Sequence, residues 1–178
     1  MSLDHLWAGW RSSYVSSFEE GGTPGAVGVG GDLAQIRPPC VFCAIAASKE
    51  PDELRYVLWT GKFTIAILNA YPYCPGHVMV LPIRHIRDLP ELNADESSEI
   101  SAAVRDAVSA LKGAYRPEGM NIGLNLGRAA GAGIPDHLHV HIVPRWMGDT
   151  NFMTSVAEVR VLPEALPDTW AKLRAAWK

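Results

Sequence analysis

The sequence predicts an α+β domain built on a mainly antiparallel sheet. Two observations support this fold class: short strand patterns dominate residues 55–83 and 121–143, and one long helical pattern separates the two groups. Strands that cluster in this way, instead of alternating with several helices, are typical of α+β folds. A chain of 178 residues has the length of one domain with an appended segment.

Three strand patterns precede the long helix. Gly61-Lys62 separates two of them, residues 55–60 and 63–69, and indicates a short hairpin. A rigid connection that contains two prolines follows, and residues 77–83 form the third strand pattern. We therefore expect three strands before the long helix, the first two of them paired as a hairpin.

The long helix has a start signal and a stop signal. Asn93 and Glu96 have the spacing of a capping box, so the helix is expected to begin there. Residues 116–119, Arg-Pro-Glu-Gly, end it. The helical spacing of its apolar residues predicts a buried face that consists of Ile100, Val104, Val108 and Leu111.

Further elements follow the helix. Residues 121–127 form a strand pattern, residues 128–136 a loop, and residues 137–143 a second strand pattern that is rich in histidine. Residues 158–162 have the pattern of another short strand. A C-terminal helix is predicted over residues 168–177, and its apolar side consists of Trp170, Leu173 and Trp177.

The N-terminal region differs in composition from the rest. Residues 5–18 place aromatic and apolar side chains at helical spacing, and residues 21–31 are rich in glycine. The glycine-rich stretch matches neither the dinucleotide fingerprint nor the P-loop. We expect residues 1–36 to be an N-terminal helix with a flexible linker, and residues 37–178 to be the catalytic domain.

Composition excludes several functional classes. The net charge of −3 provides no basic field for a nucleic-acid polymer. No apolar run approaches the roughly 20 residues that a membrane span needs, and no signal peptide is recognisable. Three cysteines do not make a disulfide framework. We therefore expect a cytoplasmic protein that has no membrane partner.

The most informative stretch is His137-Leu-His-Val-His-Ile-Val143. In a strand, its three imidazoles share one face and its apolar residues face the core. Neutral imidazole at His139 can attack phosphorus, and His141 can reach a leaving oxygen. Amides near Gly131 and Gly133 can stabilise charge on phosphate oxygens, although these glycines also fit a simple turn. A different interpretation makes the three histidines ligands of a catalytic zinc ion.

The histidine stretch resembles the signature of the histidine triad (HIT) family, His-φ-His-φ-His-φ-φ with φ apolar. Residues 69–86, Asn-Ala-Tyr-Pro-Tyr-Cys-Pro-Gly-His-Val-Met-Val-Leu-Pro-Ile-Arg-His-Ile, look like the upstream signature of the family. Residues 121–127 look like the strand before its phosphate loop. The likeness covers about residues 40–150. Residues 144–153 and the Trp-rich run 6–14 resemble its bacterial dinucleoside-polyphosphate branch.

This resemblance implies roles for three histidines. His139 matches the nucleophile that forms a covalent nucleotidyl-histidine. His141 matches the histidine beside the scissile bridge, and His77 matches the fourth histidine of the site. The family fold implied is a five-stranded antiparallel sheet with a long central helix and a C-terminal helix, usually paired as a homodimer.

The resemblance also implies substrate-binding residues. Asn69 is placed where the family binds ribose hydroxyls, Asn125 near the α-phosphate, and Gly131 and Gly133 in the phosphate loop. Arg145 is a candidate for distal phosphates, or it pairs with a local carboxylate. One departure is clear: many relatives carry Ser, Thr or Gln three to four residues before the first histidine, where this chain has Gly and Ile.

The spacing Cys40-x-x-Cys43 is found in the zinc-bearing branch of the family. There a histidine matching His85 and the first triad histidine, here His137, complete the set. Two thiolates and two imidazoles suit a structural zinc site. The alternative is two free thiols and a surface histidine.

Together these features predict a nucleotidyl hydrolase or transferase that acts on the α-phosphate of dinucleoside polyphosphates or related nucleotides. The acceptor is either water or inorganic phosphate, and the latter would make the protein a diadenosine tetraphosphate phosphorylase. A zinc-dependent hydrolase, a nucleoside phosphoramidase and a nucleotide-binding protein without catalysis are also compatible with these residues. The Trp-rich ends suit either a homodimer interface or the monomer core.

Overall fold

The computed structural model describes residues 40–149 and 164–178. The predicted N-terminal helix and glycine-rich linker (1–36), the predicted strand 158–162 and the end of the 144–153 extension lie outside the described residues. Over the described ranges, five strands form one sheet that helices cover on both faces. Within these same ranges, no helix combines the length and the apolar character needed to cross a lipid bilayer.

The elements follow one another in the predicted order. The helices and strands of the described chain are α1 (Val41–Ala47), α2 (Asp52–Arg55), β1 (Val57–Thr60), β2 (Thr64–Leu68), β3 (Val78–Pro82), α3 (Ala94–Tyr115), β4 (Gly119–Leu124), β5 (Val140–Arg145) and α4 (Leu166–Ala176).

The sheet has the strand order β1-β2-β3-β5-β4, and every neighbouring pair is antiparallel. The first three strands are joined by short connections, whereas the long α3 lies between β3 and β4 in sequence. In the sheet, β5 lies between β3 and β4. This arrangement confirms the predicted α+β class and places the histidine-bearing strand inside the sheet.

Alternation along the strands separates two cores. On one face, Ala66, Val80 and Ile142 pack with α3 and α4. On the other face, Ile65, Met79 and the neighbouring strand residues pack with Phe42 of α1. His141 is paired with Met79 across β3 and β5, so it belongs to the α1 face. The pattern that made the histidines share a face thus places them away from the long helix.

The long helix confirms its predicted start and refines its predicted face. Asn93 accepts a hydrogen bond from the Glu96 amide at 2.9 Å, and Glu96 accepts one from the Asn93 amide at 3.0 Å. The fully buried positions include Ile100 and Leu111, as predicted, together with three alanines, while Val104 and Val108 are only partly buried. Small side chains let the helix axis lie close to the sheet. The buried alanines are Ala103, Ala107 and Ala110.

Several strand boundaries differ from the prediction, and the two largest differences are of three residues each. The prediction placed a strand over residues 137–143, but β5 begins only at Val140 because the preceding backbone bonds elsewhere: the Leu138 amide donates to the Ile86 carbonyl at 2.7 Å. β4 ends at Leu124 instead of residue 127, before Gly127 adopts φ +76°. Both changes occur where the chain leaves the sheet to form the loop that joins β4 to β5.

The C-terminal helix closes the core on the α3 side. Trp170 donates its indole N–H to the Val57 carbonyl at 2.8 Å, and Leu173 is fully buried. Trp177 lies nearly parallel to Trp59, with ring centroids 6.5 Å apart. The two C-terminal tryptophans therefore pack on the monomer, which is one of the two possibilities that the sequence left open.

Candidate active site

Three histidines meet on the α1 face of the sheet. His77 directly precedes β3, His139 directly precedes β5 and His141 lies within β5. The rings of His139 and His141 have centroids 4.8 Å apart, and those of His77 and His141 are 5.1 Å apart. Because β3 and β5 are adjacent, residues separated by about sixty positions in sequence become direct neighbours.

Backbone contacts determine which nitrogen of His77 carries the proton. The amide of Tyr73 lies 3.2 Å from His77 Nδ1, and an amide can only donate. Nδ1 must therefore be unprotonated, and in the neutral ring the proton is on Nε2. His77 Nε2 lies 2.9 Å from His141 Nδ1, so His77 donates to His141. His141 in turn carries its own proton on Nε2, where it can donate to a substrate oxygen.

The opposite tautomer is imposed on His139. Its Nδ1 lies 2.7 Å from the His137 carbonyl oxygen, which can only accept a hydrogen bond. Nδ1 therefore carries the proton and Nε2 has the free lone pair. The side chain is 5% exposed, and burial lowers its pKa below the ordinary histidine value. A neutral imidazole with a defined lone pair is a competent nucleophile near neutral pH.

His141 is also held in its neutral form. Burial lowers its pKa to about 4, and the nearby His139 adds a smaller contribution in the same direction. At pH 7 the ring is therefore a hydrogen-bond donor and not a cation. Such a donor can stabilise negative charge on a departing phosphate oxygen.

Asn69 lies beside the histidine pair. Its Nδ2 is 3.4 Å from His77 Nδ1, and its Oδ1 accepts a hydrogen bond from the Tyr71 amide at 2.9 Å. The Asn69 amide donates to the His77 carbonyl at 3.0 Å, which closes the loop between β2 and β3. The side chain is thus held next to His77 and its histidine partner, where the sequence predicted a ribose contact.

The loop between β4 and β5 contains the remaining predicted phosphate contacts. Leu124 is paired with Val140, so Asn125 follows at the level of His139. Gly131 has φ +87°, and its amide donates to the Arg128 carbonyl at 2.8 Å. Gly131 therefore forms a turn, one of the two possibilities considered for it. Gly133 is partly buried and precedes the first histidine by four residues.

Arg145 is engaged with local polar groups. Its guanidinium makes two hydrogen bonds of 2.6 Å with the carboxylate of Asp149 and one of 3.0 Å with Asn121 Oδ1. The predicted possibility of a local ion pair is therefore realised in the structure. Arg145 lies at the end of β5, four residues beyond His141.

A second cluster lies beside His139 and contains Cys40, Cys43, His85 and His137. One potential ligand atom from each of these residues lies within 4.8 Å of the others. His137 Nδ1 is 3.3 Å from Cys40 Sγ and 3.6 Å from Cys43 Sγ, and His85 Nδ1 is 3.3 Å from Cys43 Sγ. In tetrahedral zinc sites, sulfur and nitrogen ligands lie about 3.5 Å apart. The donor set and its spacing therefore fit a metal ion.

The tautomer of His137 also suits a ligand. Its Nε2 lies 2.9 Å from the Pro82 carbonyl, which can only accept, so the proton is on Nε2 and the Nδ1 lone pair faces the sulfurs. Burial raises the pKa of the Cys43 thiol, and Cys40 adds to this effect. A bound dication would reverse that tendency, because metal coordination favours the thiolate.

The helix that carries the cysteines is anchored at both ends. The Ala44 amide donates to the Cys40 carbonyl at 3.0 Å at its start. Near its end, Arg55 donates to the Ile45 carbonyl at 2.7 Å and to the Glu50 carbonyl at 2.8 Å. The guanidinium therefore satisfies the Ile45 carbonyl in the last turn of the short helix and the Glu50 carbonyl in the segment after it.

Sequence comparison assigns the family. Residues 55–147 match the HIT domain family, which is more than half of the chain. The chain belongs to the HIT family. It is 38% identical over 175 residues to a protein of Mycobacterium tuberculosis named AP-4-A phosphorylase, a match that covers 98% of this chain and 85% of that protein. It is 34% identical over 93 residues to the asymmetrical bis(5'-nucleosyl)-tetraphosphatase of Schizosaccharomyces pombe, covering 52% of this chain and 50% of that one.

Solved HIT structures have the same fold. A zinc-bound histidine triad family protein from Mycobacterium smegmatis superimposes with a TM-score of 0.63 at 27% identity, covering 78% of this chain and 92% of the other. A HIT-like protein from Bartonella henselae also gives a TM-score of 0.63, at 25% identity, and covers 76% and 94% of the two chains. The HIT-like fold implied by the family resemblance is therefore confirmed.

Sequence reasoning missed two aromatic residues of this HIT site. Phe42 is 3% exposed, and its ring centroid lies 5.5 Å from that of His137 and 5.2 Å from that of His139. The ring centroid of Tyr73 lies 4.6 Å from that of His77. The sequence offered one signal for each residue: Phe42 lies between Cys40 and Cys43 in the chain, and Tyr73 lies four residues before His77.

Proposed function

We propose that this HIT protein cleaves dinucleoside polyphosphates at the α-phosphate through a nucleotidyl-histidine at position 139. The observation that carries the proposal is the defined tautomer of His139, whose Nδ1 donates to the His137 carbonyl at 2.7 Å and leaves Nε2 as the nucleophile. The relatives named AP-4-A phosphorylase and bis(5'-nucleosyl)-tetraphosphatase support this substrate class.

The proposed reaction has two displacements. In the first, the Nε2 lone pair of His139 forms a bond to the α-phosphorus, and the bridging oxygen departs with the electron pair of the broken P–O bond. His141 Nε2–H donates a hydrogen bond to that oxygen. In the second, an acceptor oxygen bonds to phosphorus and the P–N bond breaks, which returns the lone pair to His139.

We propose inorganic phosphate as the acceptor, which makes the reaction a phosphorolysis. The match over nearly the whole chain to a protein named AP-4-A phosphorylase supports this acceptor over water. A phosphate oxygen needs no proton removed before attack. Attack by water instead releases one proton as the new P–O bond forms.

The geometry weighs against a catalytic zinc ion and against a phosphoramidase. In the described part of the chain, the metal-ligating cluster includes only His137 of the three triad histidines, so His139 and His141 are not placed as zinc ligands. A phosphoramidate has a basic amine as its leaving group, which needs a proton. His141, with a pKa of about 4, carries no spare proton at pH 7. A phosphoanhydride, whose leaving oxygen is weakly basic, is the better substrate for this site.

We further propose a structural zinc ion bound by Cys40, Cys43, His85 and His137. Support comes from the four-ligand cluster and from the zinc-bound family member of Mycobacterium smegmatis. When bound, zinc would hold α1 and the segment before β5 together and would keep His137 in position. The cluster contributes no group to the displacement steps above.

The substrate-binding assignments stay part of the proposal. Asn69 would bind the ribose, Asn125 the α-phosphate, and Gly131 and Gly133 would shape the phosphate loop. Arg145 would contribute to distal phosphates only if substrate displaces Asp149 from its guanidinium. The backbone around His139 would have to supply the donor that Ser, Thr or Gln provides in many relatives.

We also propose a homodimer in the cytoplasm. β4 is an edge strand of the sheet within the described residues, and Ile122 on it is half exposed, which suits pairing with a second copy. Reduced thiols at the zinc site suit the cytoplasm. Light scattering would give the mass of the assembly. The division into a linker-bearing segment 1–36 and a catalytic domain 37–178 is likewise a proposal, which limited proteolysis would test.

Product analysis with isotope-labelled phosphate tests the function. Diadenosine tetraphosphate is incubated with the enzyme and labelled inorganic phosphate, and nucleotide products are separated. Label in ADP supports phosphorolysis, whereas unlabelled AMP shows hydrolysis. Quenching in alkaline denaturant should trap an acid-labile nucleotidyl adduct on the wild type and none on His139→Ala. If His139→Ala keeps full turnover, the nucleophile assignment is wrong.

A further inference from the structure

The loop between β2 and β3 encloses the leaving-group side of the site. This loop, residues 69–77, is here called the tyrosine loop. Its two ends are joined by the hydrogen bond from the Asn69 amide to the His77 carbonyl at 3.0 Å. Inside it, the His77 amide donates to the Cys74 carbonyl at 3.3 Å, and Cys74 Sγ donates to the Pro144 carbonyl of β5 at 3.1 Å. The loop is therefore attached to both strands that carry the histidines.

Tyr73 contacts the histidine pair in two ways. Its amide donates to His77 Nδ1 at 3.2 Å, which places the His77 proton on Nε2. Its ring lies over the pair, with its centroid 4.6 Å from that of His77 and 6.2 Å from that of His141, nearly parallel to the latter at 27°. The side chain is half exposed, so one side of the ring faces the histidines while part of it remains in contact with solvent.

We propose that Tyr73 is a positioning residue for leaving-group departure, acting through the hydrogen bond from His77 to His141. Its ring covers this bond and keeps His141 in the tautomer that presents Nε2–H to the departing oxygen. The inference deepens the proposed function and rests on it. It assigns no substrate contact to Tyr73.

The physical reason is competition by water. The two neutral tautomers of imidazole differ little in free energy, so one hydrogen bond at 2.9 Å decides which form His141 adopts. A hydrogen bond shielded from solvent is electrostatically stronger than one in water. His77 is almost fully buried, but His141 is only partly so, and the aromatic ring supplies cover on that side. Removing the ring admits water to the bond while leaving the Tyr73 amide in place.

A donor to the departing oxygen matters in proportion to the charge it stabilises. A leaving oxygen of high basicity depends strongly on the donor, whereas one of low basicity departs with little help. The effect of removing the ring should therefore change with the leaving group. A purely structural role for Tyr73 would reduce the rates for all leaving groups by the same factor.

The experiment uses the full chain with metal bound and two aryl esters of AMP. The phenyl ester has a basic leaving oxygen, and the 4-nitrophenyl ester has a weakly basic one. Single-turnover release of the phenol is measured for the wild type and for Tyr73→Ala and Tyr73→Phe. Tyr71→Ala is the matched control, since Tyr71 belongs to the same loop and its side chain is 88% exposed.

We expect Tyr73→Ala to slow release from the phenyl ester about ten-fold or more and from the 4-nitrophenyl ester less than about three-fold. The substrate concentration at half-maximal rate should change little. Tyr73→Phe should restore the rate to within about three-fold of the wild type, because it restores the ring. Tyr71→Ala should leave the ratio of the two rates unchanged.

Several outcomes would overturn the inference. Equal losses on the two esters, an equal loss in Tyr73→Phe, or the same change of ratio in Tyr71→Ala would each exclude the proposed role. A change confined to the half-saturating concentration would instead make Tyr73 a substrate-binding residue, which also contradicts the proposal.

A spectroscopic measurement separates this inference from the proposed function. ¹⁵N chemical shifts of the imidazoles in the wild type distinguish protonated from unprotonated ring nitrogens. Tyr73→Ala should give His141 a measurable population protonated on Nδ1, and unchanged shifts would refute the positioning role. If the wild type turns over neither the esters nor diadenosine tetraphosphate, the proposed function fails, while the shifts still decide whether Tyr73 controls the tautomer.

Discussion

Gly76 is expected to be indispensable for the stability of the tyrosine loop. The residue is buried, has φ +81° and directly precedes His77. A Cβ at this position would lie 2.9 Å from Leu111 Cδ2 and 3.3 Å from both Pro144 Cγ and Tyr115 Cε2. Gly76→Ala therefore adds the cost of a left-handed conformation, about 1–2 kcal/mol, to that of an overpacked contact, about 1–3 kcal/mol.

We expect Gly76→Ala to lower the free energy of unfolding by about 3.5 kcal/mol, the midpoint of the sum of these ranges. Urea denaturation followed by tryptophan fluorescence measures it as a lower midpoint with an unchanged slope. Since His77 is the next residue, turnover should also fall in conditions where the variant is still folded. A loss below about 1 kcal/mol would refute the reasoning, because the backbone term alone reaches that value.

Gly113→Ala provides the matched control. Gly113 lies in α3, is exposed, and has nothing within 4 Å of an added Cβ. The same substitution there should raise the free energy of unfolding by roughly 0.5–1 kcal/mol, because alanine is the better helix former. If the two variants changed stability in the same direction, local backbone geometry and packing would not be the cause.

Three further predictions concern stability and the metal cluster. The Arg84 guanidinium, with the Asn93 amide, lowers the pKa of buried Glu96 to about 2. The ionised Glu96 carboxylate therefore stabilises the folded protein above about pH 4.5, and this stabilisation is lost as the pH falls from there towards 2. Glu96→Gln should lower the free energy of unfolding by about 2 kcal/mol at pH 7, a value that allows for the half-exposed Arg84, and by clearly less at pH 3. Urea titrations at the two pH values measure this difference, and an equal loss at both would contradict the ion pair. Thr64 Oγ1 is buried without a hydrogen-bond partner, so Thr64→Val should raise the free energy of unfolding by about 1 kcal/mol, whereas Thr60→Val, at an exposed position, should change it little. If Thr64→Val lowered the stability instead, the hydroxyl would have a partner. Elemental analysis should find no bound zinc in Cys43→Ser, and its melting temperature should be lower than that of the wild type. Cys74→Ser should retain zinc because Cys74 is outside the cluster, and zinc retained in Cys43→Ser would disprove the ligand set.

Local rules were sufficient for several elements of the fold. The capping box of Asn93 and Glu96 and the Gly61-Lys62 hairpin were predictable because their interactions join residues that are close in sequence. The face of α3 was less predictable. Helical periodicity marked large apolar residues, but three of the residues that the helix buries most completely are alanines.

The boundary of β5 shows where local rules failed. The alternation over residues 137–143 is genuine, yet His137 and His139 precede the strand because Leu138 bonds to Ile86, a residue from a distant loop. A strand ends where its neighbouring strand no longer pairs with it, and that pairing depends on the arrangement of the whole sheet. The alternation nevertheless gave the correct face for His141.

The amino-acid sequence by itself determined the family, the fold class and the set of residues that can carry the chemistry, because motif spacing and periodicity are local properties of a chain. Only the tertiary structure decided which nitrogen of each imidazole carries the proton and which has the free lone pair. Those assignments depend on carbonyls and amides of Pro82, His137 and Tyr73, whose roles as acceptors and donors toward a given ring arise from folding. The family resemblance implied that Cys40 and His137, 97 positions apart, share one cluster, and the packing of α1 against the sheet is what brings them together.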